Sequence, residues 1–120
     1  TQLLAVDKLR DGVAVREIVD SACENFEKHG YKTVRSLLKG DKKALTSGFT
    51  HSLGHGVGLT IGEKPFLTLF SREELRSGHV LTVEPGLYEP GVGGARIEDV
   101  VALKGDMVVN FSQLDKDLLI

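Results

Sequence analysis

Val15, Ile18, Val19, Ala22 and Phe26 fall at helical spacing, so one face of a helix would be apolar across about three turns. The spacing predicts an amphipathic helix over Val13–Gly30, with Lys28 and His29 in its last turn and Gly30 as the stop. Asp11-Gly12 punctuates the chain just before it, and a second, short helical pattern covers Val34 to Leu38, ended by Gly40-Asp41. Ahead of both, Leu3-Leu4-Ala5-Val6 reads as the middle of an element. The expectation is a chain that begins inside a domain, with loss of an initiator methionine before Thr1 as the simpler alternative.

From Gly48 the texture changes. Glycines at 48, 54, 56, 58 and 62 rule out a stable helix interior and predict turns and closely approached backbone beside short strands. Arg72 to Arg76 is expected to form one helical turn ended by Gly78. His79 to Glu84 alternates as a strand with Val80, Thr82 and Glu84 on one face. Pro85-Gly86 and Pro90-Gly91 mark turns. Arg96 to Leu103 reads as a second strand, with Arg96, Glu98 and Val100 on one face and Ile97, Asp99 and Val101 on the other. Met107 to Phe111 is a third, closing a hairpin across Lys104-Gly105-Asp106.

With 120 residues, 41% apolar and 27% charged, the chain is expected to be one domain that buries roughly two-thirds of its unfolded surface. A formal net charge of −2 supplies no basic field, so nucleic acid and anionic membrane are not expected partners. No apolar run approaches the roughly 20 residues of a membrane span, and Cys23 is the single cysteine, which excludes an internal disulfide. The expected compartment is the cytoplasm.

Three residues carry the candidate chemistry. His55 lies between Gly54 and Gly56, where core packing does not explain an imidazole; Glu84 closes its strand just before a proline; Glu98 interrupts an otherwise apolar strand. One imidazole and two carboxylates are ligand types for a divalent metal that activates water. Each residue also has a plainer reading: a histidine in a glycine loop is often structural, and Glu98 could simply pair with Arg96, two residues away on the same face. His51, four residues before His55, is a second ligand, a substrate-facing donor or a surface residue. Gly54-His55-Gly56-Val57-Gly58 lacks the lysine of a phosphate loop and the spacing of a dinucleotide fingerprint, which sets the phosphate reading aside.

Taken in order, His51-Ser-Leu-Gly-His55-Gly-Val-Gly-Leu59, Leu81-Thr-Val-Glu84-Pro-Gly-Leu-Tyr88 and Gly94-Ala-Arg96-Ile-Glu98-Asp-Val-Val101 resemble the three C-terminal signature segments of the pita-bread metallopeptidases. Arg96, two before Glu98, is similar to the Xaa-Pro dipeptidases and aminopeptidases P rather than to methionine aminopeptidases. The resemblance covers nearly the whole chain. It implies an α+β fold, the C-terminal half of a pita-bread domain, with a mixed or antiparallel sheet and helices on one face. Residues 1–120 would then be a single partial domain.

The resemblance implies a centre of two divalent ions (Mn²⁺, Co²⁺ or Zn²⁺) held by two aspartates, one histidine and two glutamates. Carried over by motif, His55 and Glu84 would bind one metal and Glu98 would bridge both. Glu84 would also take the proton of the attacking water, Arg96 would stabilise Glu98 or a substrate carboxylate, and His51 would line the substrate pocket. The family's aspartates lie on strands before the first residue here, and neither Asp7, Asp11 nor Asp20 sits in a matching context. Seven residues after the ligand histidine the family usually has another histidine, in a His-Glu sequence; here Gly62-Glu63-Lys64-Pro65 stands instead. The implied function is metal-dependent hydrolysis of Xaa-Pro peptide bonds, with the isolated chain inactive. A pseudopeptidase serving as a peptide- or protein-binding module, or a folded fragment without a ligand, are the alternatives. Partners would be a peptide with proline after the scissile bond, the missing N-terminal half of the domain and, as an open option, a second copy of the chain.

Overall fold

The computed structural model describes residues 1–38, 40 and 45–116. Among the described residues three helices, α1 (Gln2–Val6), α2 (Val15–Lys28) and α3 (Arg35–Leu38), precede seven strands: β1 (Gly54–Val57), β2 (Ile61–Leu67), β3 (Val80–Val83), β4 (Gly86–Glu89), β5 (Gly93–Arg96), β6 (Asp99–Lys104) and β7 (Met107–Asn110). The order β2-β1-β3-β6-β7 forms one sheet, antiparallel throughout, and β4 pairs antiparallel with β5 as a separate ribbon.

The long helix forms where the periodicity predicts. Val15, Ile18, Val19, Ala22 and Cys23 are buried, Phe26 half-buried, and Gly30 takes a left-handed φ of 86° just past the helix end. This face covers the inward residues of the sheet, among them Leu81, Val83, Val101 and Leu103, in one core with Phe49, Leu53 and Leu67. Each fully buried Val, Leu or Ile side chain contributes roughly 1.5–3 kcal/mol. Among the described residues no helix is long and apolar enough to cross a membrane.

The core also silences the thiol. Burial, the largest influence, pushes Cys23 up from 9.0 to about 11. At pH 8 a disulfide reagent should therefore label native chain at least about a hundredfold more slowly than chain in denaturant, because the thiolate is that much scarcer. Equal labelling rates would show that Cys23 is accessible.

Three expectations need correction. Residues 72–76 are extended rather than helical: Val15 N–H donates to Glu73 O, Leu75 N–H to Val13 O and Gly12 N–H to Leu75 O. Pairing with the lead-in to α2, which also buries Leu75 completely, outweighs one isolated helical turn. Pro85-Gly86 does not reverse the chain; Gly86 opens β4, and the reversal comes at Pro90-Gly91. The strand expected over Arg96–Leu103 is broken at Ile97 and Glu98, between β5 and β6. The remaining local readings hold: α3 lies within Val34–Leu38, Leu3–Val6 is helical, and the hairpin turns at Gly105 with φ 61°. Asp41 lies outside the described residues.

Candidate metal centre

His55 projects from β1 at a place where the backbone is unusually hemmed in. A Cβ at Gly54 would stand 2.0 Å from Thr82 O, and one at Gly56 would stand 2.3 Å from Lys64 O and 2.8 Å from Glu63 O. Only glycine permits this approach, which is why the two neighbours of His55 lack side chains. Here β2 also bulges. The pairing moves from His55↔Phe66 to Gly56↔Glu63, so Lys64 and Pro65 are looped out and the ladder bends at the imidazole.

A threonine joins the histidine to the first glutamate. The buried Thr82 hydroxyl accepts the His55 backbone N–H at 3.0 Å and donates to Glu84 Oε1 at 2.9 Å. His55 Nε2 lies 3.4 Å from the same Glu84 oxygen, while its Nδ1 is 2.9 Å from Gly56 O. A carbonyl oxygen can only accept, so Nδ1 carries a proton and Nε2 is the ring atom turned toward the carboxylate. Two electron-rich atoms at that separation call for a proton or a metal cation. The donor set and the tautomer fit a divalent ion held by nitrogen and oxygen.

Glu98 reaches the same place by register. Val83 pairs with Asp99, and Gly86 pairs with Arg96, so three residues advance on one side while three retreat on the other. The β3–β4 and β6–β5 segments therefore keep one register through their interruption, with Ile97 N–H donating to Pro85 O across it at 3.4 Å. That register sets Glu98 opposite Glu84. Cross-strand neighbours have Cβ atoms roughly 4.5–5.5 Å apart, and like charges so placed repel unless a cation intervenes. The Glu98 side chain is exposed, and among the described residues no three His, Cys, Asp or Glu side chains close around a point that could hold an ion.

Arg96 corrects another expectation. Its Nε lies 3.8 Å from Glu84 Oε2 rather than against Glu98. The register explains the change, since Arg96 is the diagonal cross-strand neighbour of Glu84, within reach of a long side chain. Arg96 is half-exposed, so the pair adds little stability by itself. His51 sits apart from this trio, its ring between Phe49 and Tyr88 with centroids at 5.3 and 5.4 Å. Its Nδ1 donates to Ser52 O at 2.7 Å, and its buried Nε2 has no partner among the described residues. It borders an apolar cavity of about 170 Å³ that Val34, Leu37, Leu69 and Phe70 also line.

The three early aspartates lie elsewhere. Asp11 accepts the Ser77 N–H and Asp20 faces Arg16 and Arg35, while Asp7 lies exposed at the C-terminal end of α1. Two residues of the site escaped the sequence reading. Thr82 shares its strand face with Glu84, so the alternation held the signal. Asp99 carried none, because its partners Gln2, Asn110 and Lys116 are distant along the chain. Those hydrogen bonds outweigh the effect of burial and hold its carboxyl below 3.8.

The sequence profile of metallopeptidase family M24 matches residues 1–105. The Xaa-Pro dipeptidase of Pyrococcus furiosus is 36% identical over 118 residues, which is 98% of this chain but 30% of that protein. The prolidase of Pyrococcus horikoshii superposes with a TM-score of 0.81 at 32% identity, over 98% of this chain and 30% of its own. The X-Pro aminopeptidase of Thermotoga maritima superposes with a TM-score of 0.80 at 32% identity, over 97% and 29%. The chain thus spans about a third of the length of these relatives, and its α+β architecture is the C-terminal half of the pita-bread fold. With nearly the whole chain matched in sequence and in fold, this protein belongs to metallopeptidase family M24.

Proposed function

We infer that the chain supplies the His55, Glu84 and Glu98 side of a two-ion centre that hydrolyses Xaa-Pro peptide bonds, residues 1–120 being one part of the catalytic domain. The observation that carries this is the in-register placement of Glu98 against Glu84, with His55 Nε2 3.4 Å from Glu84. Glu84 and His55 would hold one ion and Glu98 would bridge to the second. When bound, such ions supply a Lewis acid for the peptide carbonyl and lower the pKa of bound water.

The chain's own groups do the rest. Thr82 holds one Glu84 oxygen in place, leaving the carboxylate aimed at His55 and able to take a proton from water. Gly56 O fixes the His55 tautomer. Arg96 approaches the other Glu84 oxygen and remains half-exposed, free to meet the carboxylate of a short peptide. His51, whose ring borders the apolar cavity, would line the substrate pocket. The relatives are named for Xaa-Pro substrates, which supports the same bond here.

A specific observation favours a second reading. Gly62 stands where the resemblance places a substrate-contacting histidine, and its φ of 72° is a conformation that costs an L side chain roughly 1–2 kcal/mol. The loop is built around glycine, as a module that binds peptide without cleaving it could be. Titration calorimetry with Mn²⁺ on the 120-residue chain bears on both readings. The expected result is one weakly held ion, with His55→Ala and Glu84→Gln each lowering affinity at least about tenfold. Tight binding of two ions would overturn the incomplete-centre reading, and unchanged affinity in both variants would overturn the ligand assignment.

A further inference from the structure

Asp99 is the one carboxylate on the inward face of β6, in a row with Val101 and Leu103, and it is 1% exposed. Burying a charge in such a row is costly unless it is hydrogen-bonded. Here three donors from three separate segments converge on its Oδ2: Gln2 Nε2 of α1 at 2.6 Å, Asn110 Nδ2 of β7 at 2.6 Å and Lys116 Nζ at 2.8 Å. Its neighbour Glu98, one residue away, is exposed.

The geometry points to Asp99 as a positioning residue: its buried anchor sets the β3–β6 register, and that register decides that Glu98 faces Glu84. Apolar packing alone cannot make this choice. A slip of one residue would turn the core side chains outward, but a slip of two would exchange Val101 for Leu103 and leave the inward face apolar. The same slip, made by β6 together with its hairpin partner β7, carries residue 99 roughly 6–7 Å along the strand, away from Gln2 Nε2 of α1. It also removes Glu98 from Glu84. The adjoining ribbon is a weak guide to register, since β5 is Gly-Gly-Ala-Arg with every residue exposed, and glycine-rich strands slip readily. A buried polar cluster that accepts only one alignment is the feature of β6 that distinguishes the two pairings.

The inference rests on Glu84 and Glu98 being metal ligands, and the test separates the two ideas. In isotopically labelled chain, nuclear Overhauser contacts between residues 82–84 and 98–100 report the register without metal. Paramagnetic broadening by Mn²⁺ reports which residues lie near the ion. The native chain should show both sets of contacts, with amides of His55, Glu84 and Glu98 broadened together. In Asp99→Val the sheet should persist while the 84–98 contacts are lost. Broadening should then weaken at Glu98 relative to His55 and Glu84, with Mn²⁺ affinity at least about tenfold lower. An Asp99→Val chain that keeps the native contacts overturns the inference. Should that variant fail to fold, Gln2→Ala removes the donor that does not travel with the β6–β7 hairpin; unchanged Glu98 contacts in that variant would also overturn it. Native chain that shows no broadening at His55 and Glu84 defeats the metal reading alone, and the contacts still judge Asp99.

Discussion

Adding the preceding portion of an M24 catalytic domain to this chain should produce hydrolysis of an Xaa-Pro dipeptide in Mn²⁺ or Co²⁺, where either part alone produces almost none. The expected rise over the separate parts is at least about a hundredfold, since disturbing even the outer partners of metal ligands costs roughly 10–100-fold. The chain offers one imidazole and two carboxylates to the proposed site, while Asp11 and Asp20 are committed to a backbone N–H and two arginines and Asp7 lies exposed at the end of α1. A second ion would therefore lack most of its coordination, and a bridging water would be held from one side only. A formed complex that binds the dipeptide without cleaving it would overturn the peptidase reading and favour the binding module. Gly62 would then be the leading cause, because no added segment supplies an imidazole at that position.

Gly56→Ala should be among the most damaging small substitutions in the chain. The added methyl would meet Lys64 O at 2.3 Å, Lys64 C at 2.7 Å and Glu63 O at 2.8 Å, all backbone atoms that cannot rotate away. Relief requires β1 and β2 to separate beside His55, and overpacking of this kind costs roughly 1–3 kcal/mol or more. For a domain of this size that is a fall in melting temperature on the order of 5–15 °C. Gly58→Ala is the control. The three atoms nearest its methyl all belong to the Glu63 carboxylate, the far end of a flexible side chain, so a shift of a few degrees at most is expected. Thermal denaturation followed by circular dichroism measures both. Equal melting temperatures would show that the β1–β2 approach is looser than its geometry implies. Because the bulge at Gly56 aims the imidazole, Gly56→Ala should also weaken Mn²⁺ binding, whereas Gly58→Ala should not.

The amino-acid sequence by itself determined the long helix, the last hairpin and the strand that ends at Glu84, because each rests on a local period or on turn residues. Val15, Ile18, Val19 and Ala22 define their face without help from elsewhere. The proposed ligands His55, Glu84 and Glu98 stand out in the sequence for a different reason: glycines on both sides of an imidazole, and carboxylates beside apolar residues, are choices that local propensity does not explain. Tertiary structure decided the rest. Residues 72–76 became extended because the segment before α2 offered them backbone partners, a competition that no local window contains. Arg96 turned to Glu84 instead of Glu98 because cross-strand register, which joins residues distant in sequence, sets the diagonal neighbours. Asp99 came to rest inside a core face because its three donors arrive from α1, from β7 and from the segment after it. Local periodicity can place a residue on a face, but only the folded chain assembles the partners that make a buried charge tolerable there.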